Sequence, residues 1–182
     1  MRNVYHDRDR SLYPGECAMV EIGELAPDFS IPDQNGNEVR LSDFPGKRVI
    51  LSFHPLAWTS ICARQMKALD AHQEAFNALS AVALGISVDS APCKRAWAES
   101  LGIEKTRLLA DFWPHGEVAQ IYGVFDSAKG YSRRANIVID EFRRIVFVGG
   151  YRATLVPDMQ DVLDVLQAQE TSRRVEEQAP EI

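Results

Sequence analysis

The chain has 182 residues, 46% of them hydrophobic and 25% charged, with a formal net charge of −6 at pH 7. That balance fits one globular domain with an ordinary core, gives no electrostatic reason to bind nucleic acid or an anionic membrane, and includes no apolar run of the about 18 residues that cross a bilayer. The polar opening MRNVYHDRDR lacks the apolar stretch of a secretory signal, so the expected compartment is the cytoplasm.

Residues 1–18 have mixed charge and no periodicity and read as an N-terminal arm. One domain is expected over 19–170, followed by a charged C-terminal tail, 171–182, that adds little core. Short strands at 28–31 and 38–41 flank the turn-rich PDQNG and predict a small antiparallel ribbon. RVILSF (48–53) reads as a buried strand, 64–79 as a helix and AVALGISV (81–88) as a second buried strand. That spacing suits a right-handed strand-helix-strand unit with parallel strands. Ser90 as N-cap and Pro92 in the first turn open another helix, which carries Cys93, Ala96 and Trp97 and stops at Gly102. A short strand at 107–110 and a short helix at 116–122 follow, the latter after the turn Trp113-Pro114-His115-Gly116. Two strands, 135–140 and 144–148, are joined by a link short enough for an antiparallel hairpin. An amphipathic helix over 158–169 repeats Met159, Val162, Leu163 and Leu166 at helical spacing. The sum is an α/β fold, a central mixed β-sheet flanked by helices.

The three cysteines, Cys17, Cys62 and Cys93, form no CxxC pair and have no nearby ligand spacing, which disfavours a disulfide scaffold and a metal site. A thiol used for its reactivity is the better reading. Cys62 ends the run FHPLAWTSIC, where a strand gives way to a helix. It is expected in the first helical turn, where backbone N–H groups without helical partners converge and favour an anion.

Pro55, Thr59 and Cys62 form a Pro-x-x-x-Thr-x-x-Cys motif, and on it the chain resembles the peroxiredoxin family, whose fold is thioredoxin-like. The resemblance extends to GELAPDF (23–29), GISVDS (85–90) and SRRANIVID (132–140), and covers about residues 23–166. It implies a thiol-dependent peroxidase without metal, haem, flavin or other cofactor, in which Cys62 attacks hydrogen peroxide or an organic hydroperoxide and becomes a sulfenic acid. Thr59 would orient the oxidant, Arg134 would supply positive charge near the leaving oxygen, and Pro55 would fix the loop and shield the pocket. Strand alternation sends Arg133 and Arg134 to opposite faces, and the spacing to Ala135-Asn136-Ile137-Val138 favours Arg134. An external thiol reductant (thioredoxin, glutaredoxin or a small thiol) and a homodimer or higher homo-oligomer are further implications.

His54, directly before Pro55, is similar to the one-cysteine group of the family. Gln65 departs from the pattern, since many members carry a glutamate there that pairs with active-site arginines. A neutral amide still accepts a hydrogen bond from Arg134, so activity with altered tuning is expected. Cys93 is either a resolving thiol or a subunit-contact residue, and Cys17 is the other candidate resolver. Two rival functions share the fold. A thiol-disulfide oxidoreductase normally needs the CxxC that Cys62-Ala63-Arg64-Gln65 lacks, whereas a redox sensor would use Cys62 oxidation to change a partner interface.

Overall fold

The computed structural model describes residues 19–177, so the expected arm, Cys17 within it, and the last five residues lie outside the described region. The ribbon consists of β1 (Ser30–Pro32) and β2 (Glu38–Arg40), antiparallel, with Asp33 accepting from the backbone N–H groups of Asn35 and Asn37 to close the turn. Next come β3 (Arg48–Phe53), α1 (Ser60–Ala71), α2 (Gln73–Ala78), β4 (Ala81–Ser87), α3 (Ala91–Leu101), β5 (Arg107–Ala110) and α4 (Glu117–Ile121). After the two-residue strands β6 (Phe125–Asp126) and β7 (Tyr131–Ser132), the chain continues through β8 (Arg134–Ile139), β9 (Ile145–Tyr151) and α5 (Met159–Glu177). The central sheet has the order β5-β4-β3-β8-β9. β4 is parallel to both β3 and β5, whereas β8 is antiparallel to β3 and β9, as the mixed-sheet reading requires.

Three local features differ from the sequence expectation. The helix expected over 64–79 starts at Ser60 and is broken at His72. There the His72 ring nitrogen Nδ1 sits 2.7 Å from the Ala68 carbonyl, and Gln73 turns inward to donate to Ala83 O and Thr106 Oγ1. The β6/β7 pair was invisible to periodicity because two residues carry no period. α5 runs past 169 to Glu177, into the segment expected as tail, and residues 171–174 are exposed. Its hold on the body includes Glu170, which accepts from the buried Arg48 guanidinium at 3.1 Å while Arg48 Nε donates to Glu141 at 3.1 Å.

Alternation along β3 and β8 sorts the interior into two layers. Val49, Leu51, Phe53, Ala135, Ile137 and Ile139 face one side with Phe29, Val118 and Tyr122. Ile50 and Val138 face the other, against Met66 and Leu69 of α1, Trp97 of α3 and Val162 of α5. On the first side the buried Asp111 carboxylate accepts from the N–H groups of Val118 and Ala119 at the start of α4. On the second, Gly85 of β4, in register with Ser52, leaves room for α1: a Cβ there would lie 2.5 Å from Met66 Sδ and 2.9 Å from Leu108 Cδ2.

Candidate active site

Cys62 is the third residue of α1, and the first helical hydrogen bond of that end runs from Ala63 N to Thr59 O. The N–H groups of Ser60, Ile61 and Cys62 therefore lack helical acceptors and present positive potential around the thiol. Thr59 occupies the N-cap position in extended conformation, without a capping bond from its side chain. Its exposed hydroxyl donates instead to Leu56 O at 3.0 Å. With that proton committed, Thr59 Oγ1 offers acceptor lone pairs, and no donor, to an incoming O–H. Pro55 is half-buried just beyond the end of β3. The loop it opens is held at Ala57, whose N–H donates to Asp89 Oδ2 at 2.8 Å, while Ser87 Oγ donates to the same oxygen at 2.6 Å.

Of the two adjacent arginines, Arg134 faces the thiol. Its Nη2 lies 3.5 Å from Cys62 Sγ and donates to Ala153 O at 3.0 Å, and its Nη1 donates to Gln65 Oε1. Arg133 turns the other way and donates to Gly123 O. Cys62 and Arg134 are only 1% and 3% exposed, so the guanidinium acts on the sulfur with little screening by water. Both ends of the Gln65 amide are used: Oε1 accepts from Arg134, and Nε2 donates to Ser52 Oγ at 2.8 Å and to Phe53 O at 3.2 Å. Ser52 Oγ in turn donates to Asn136 Oδ1 at 2.8 Å. The polar residues Ser52, Gln65, Arg134 and Asn136 thus form one buried chain that fixes the guanidinium.

His54 lies in the same layer and is fully buried, its ring 5.3 Å from that of Trp97. Its Nε2 is 3.4 Å from Nζ of Lys94, a lysine with no exposed surface. Burial, reinforced by the positive charges of Lys94 and Arg134, holds His54 well below the usual imidazole range, so the ring is neutral. Burial also lowers the Lys94 ammonium, to about 8, against the opposing pull of Asp89, Cys93, Asp111 and Cys62. Cys93 is a partly buried free thiol in the first turn of α3, with Sγ 4.0 Å from Asp89 Oδ1. His115 is placed by Gly130 O, 2.7 Å from its Nε2, and Trp113 is 81% exposed.

Sequence reasoning missed Ser52, Asn136, Asp89, Lys94 and the Ala153 carbonyl. A polar residue inside each of the apolar runs RVILSF and ANIVID was the available signal for the first two. Lys94 shares a helix face with Trp97 and Ala98, and a lysine on an apolar stripe was the signal there. Nothing local marks Ala153.

Residues 22–148 match the model of the AhpC/TSA family. Alkyl hydroperoxide reductase E of Mycobacterium tuberculosis is 39% identical over 151 residues, spanning 82% of this chain and 98% of that protein. Peroxiredoxin-2 of Mus musculus is 36% identical over 130 residues, 66% of this chain and 65% of the relative. Among solved structures, the reduced 2-Cys peroxiredoxin of Plasmodium vivax superposes with a TM-score of 0.79 at 26% identity, covering 85% of this chain and 84% of that one. Mycobacterium tuberculosis AhpC shares the fold with a TM-score of 0.76 at 21% identity, over 85% of this chain and 96% of the other. A thiol under a guanidinium at a helix start, on a mixed sheet shared with these proteins, agrees with the match over most of the chain: it belongs to the AhpC/TSA family, the peroxiredoxins.

Proposed function

We propose that the chain reduces hydrogen peroxide or organic hydroperoxides through Cys62, and that Arg134, Thr59 and Pro55 complete its catalytic site. The observation that carries this reading is the 3.5 Å approach of Arg134 Nη2 to Cys62 Sγ inside a buried layer. There the guanidinium can stabilise both the attacking thiolate and the negative charge that grows on the leaving oxygen. The thiolate attacks the terminal oxygen in line, the O–O bond breaks, and the products are a Cys62 sulfenic acid and water or an alcohol. Thr59 Oγ1 accepts from the oxidant's O–H and so sets the line of attack, and Pro55 keeps water out of the loop. Gln65 and His54 support the pocket, Gln65 by fixing the guanidinium.

The oxidised sulfur is returned to thiol by an external thiol, whether a thioredoxin, a glutaredoxin or a small molecule. The protein works in the cytoplasm as a homodimer or higher homo-oligomer. Among the described residues no helix is long and apolar enough to cross a membrane. Cys62→Ser is expected to abolish peroxide consumption, and turnover retained by that variant refutes the reading. Intact mass after one equivalent of peroxide is expected to rise by one oxygen on Cys62. A loss of two hydrogens instead assigns resolution to Cys93 or Cys17.

A further inference from the structure

The peroxidase reading leaves a proton unaccounted for. The oxygen that leaves the peroxide departs as hydroxide or alkoxide, and Arg134 cannot give a proton away. The layer that holds Cys62 and Arg134 also contains a second polar pair to which this reading gives no part in the proton transfer, His54 and Lys94, both with no exposed surface.

Their geometry fixes the direction of the hydrogen bond. An ammonium only donates, so at 3.4 Å Lys94 Nζ donates to His54 Nε2, and the neutral ring must carry its hydrogen on Nδ1. Nδ1 is buried and has no hydrogen-bond partner among the described residues. An orphaned buried donor is costly and rare, and it suits a group that bonds to something entering the site. Alternation places the ring on the thiol's side: Ile50 and Ser52 face α1, and His54 continues their row to meet Trp97 and Lys94 of α3.

We propose that His54 Nδ1 gives its proton to the oxygen leaving the peroxide, and that Lys94, acting through Nε2, is the positioning residue that selects this tautomer and replaces the proton. This rests on the peroxidase reading. Attack by the thiolate forms the S–O bond and breaks O–O; the sulfur is oxidised by two electrons and the peroxide is reduced by the same two. The leaving oxygen takes the bonding pair and then the Nδ1 proton, and becomes water or an alcohol. Nε2 takes a proton from Lys94 Nζ, so His54 ends neutral in its other tautomer and Lys94 ends as a neutral amine. Thiolate and ammonium are discharged together, so the net charge of the buried layer does not change during the step. When an external thiol has reduced the sulfenic acid, the proton of the reformed Cys62 thiol returns to His54 Nδ1 and Nε2 passes its own back to Lys94 Nζ, which restores the ammonium and the first tautomer.

The groups facing Lys94 suit this cycle. Asp89, Asp111, Cys93 and Cys62 favour its charged form, His54 lies at bonding distance, and Arg134 is a further cation acting on His54. An ammonium brought to about 8 is a proton source matched to neutral pH.

The test times Cys62 oxidation in stopped flow with hydrogen peroxide, tert-butyl hydroperoxide and peracetic acid, whose acetate leaves without needing a proton. Lys94→Met is expected to be about 100-fold slower with the first two oxidants and less than about threefold slower with the peracid. His54→Phe should show the same selectivity, and the double variant should be no slower than either. Equal slowing with all three oxidants, as a merely structural role would give, overturns the proposal, as does an unchanged rate with tert-butyl hydroperoxide. Should neither variant fold, the unmodified protein decides: its rates across alkyl hydroperoxides of graded leaving-group acidity should vary little, and a steep dependence overturns the relay. An unmodified protein that reacts with none of the three oxidants refutes the peroxidase reading itself.

Discussion

The central sheet builds two faces from the same strands, and they bury different things. On the α4 side β3 and β8 contribute Val49, Leu51, Phe53, Ala135, Ile137 and Ile139, all apolar and nearly inaccessible. On the α1 side the intervening positions include Ser52, His54, Arg134 and Asn136, equally buried but polar, and joined to Gln65 and Lys94. The first face stabilises by transfer from water and close packing. The second keeps polar groups dry, which costs stability unless each is bonded, and gains strong short-range electrostatics around the sulfur. One strand thus carries a stabilising row and a reactive row, interleaved residue by residue.

Substitution on each face should separate these contributions. Phe53→Ala removes a fully buried ring from the apolar face and should lower unfolding free energy by about 4 kcal/mol in denaturant titration, with the peroxide rate per folded molecule nearly unchanged. A comparable loss of rate would mean that the two faces are mechanically coupled. Arg134→Met is expected to reverse the balance: roughly 100-fold slower Cys62 oxidation, from loss of the cation beside the sulfur, with a smaller change in stability.

The apolar face also carries a buried carboxyl, Asp111, whose pH signature should sit apart from that of the reactive row. Burial raises Asp111 from 3.8 to about 6. A carboxyl raised on folding gives its full contribution below its unfolded value, and that contribution is lost as pH rises through the folded one. Relative to Asp111→Asn, the protein should therefore lose about 2 kcal/mol of stability between pH 4 and pH 7, read from denaturant midpoints. A gap that does not vary with pH refutes this. The smallest effect is expected at Gln65. Gln65→Glu puts a carboxylate against Arg134, offsets part of its charge, and should slow peroxide reduction by a few-fold without abolishing it. An unchanged rate would show that the amide does not tune the guanidinium.

Sequence patterns reached the layer plan because short apolar runs such as RVILSF and AVALGISV, rich in β-branched residues, read as buried strands, and because Ser90, Pro92 and Gly102 delimit α3 in residue types with fixed conformational meaning; Gly102 ends it at φ +68°. The family resemblance also led to Cys62, Arg134 and Gln65 as neighbours, and hydrogen bonds join all three. What stayed hidden depends on contacts far apart in the chain. The break at His72 needs Gln73 to reach Ala83 and Thr106, and the second hold on Arg134 is a main-chain carbonyl, which no residue type announces. Lys94 was hidden for a different reason. A lysine counts as surface by habit, and only its neighbours Trp97 and Ala98 on the same helix face argue otherwise.

Gly85 reaches further than its missing side chain suggests. Met66 stands one helical turn beyond Cys62, and its sulfur occupies the space a methyl group at 85 would claim. The floor beneath the reactive helix is therefore shaped by a hydrogen atom on β4. An alanine there would push on the ends of the Met66 and Leu108 side chains, which would have to find room elsewhere in a filled layer. The packing under this centre thus depends partly on clearance at a residue that takes no part in the chemistry.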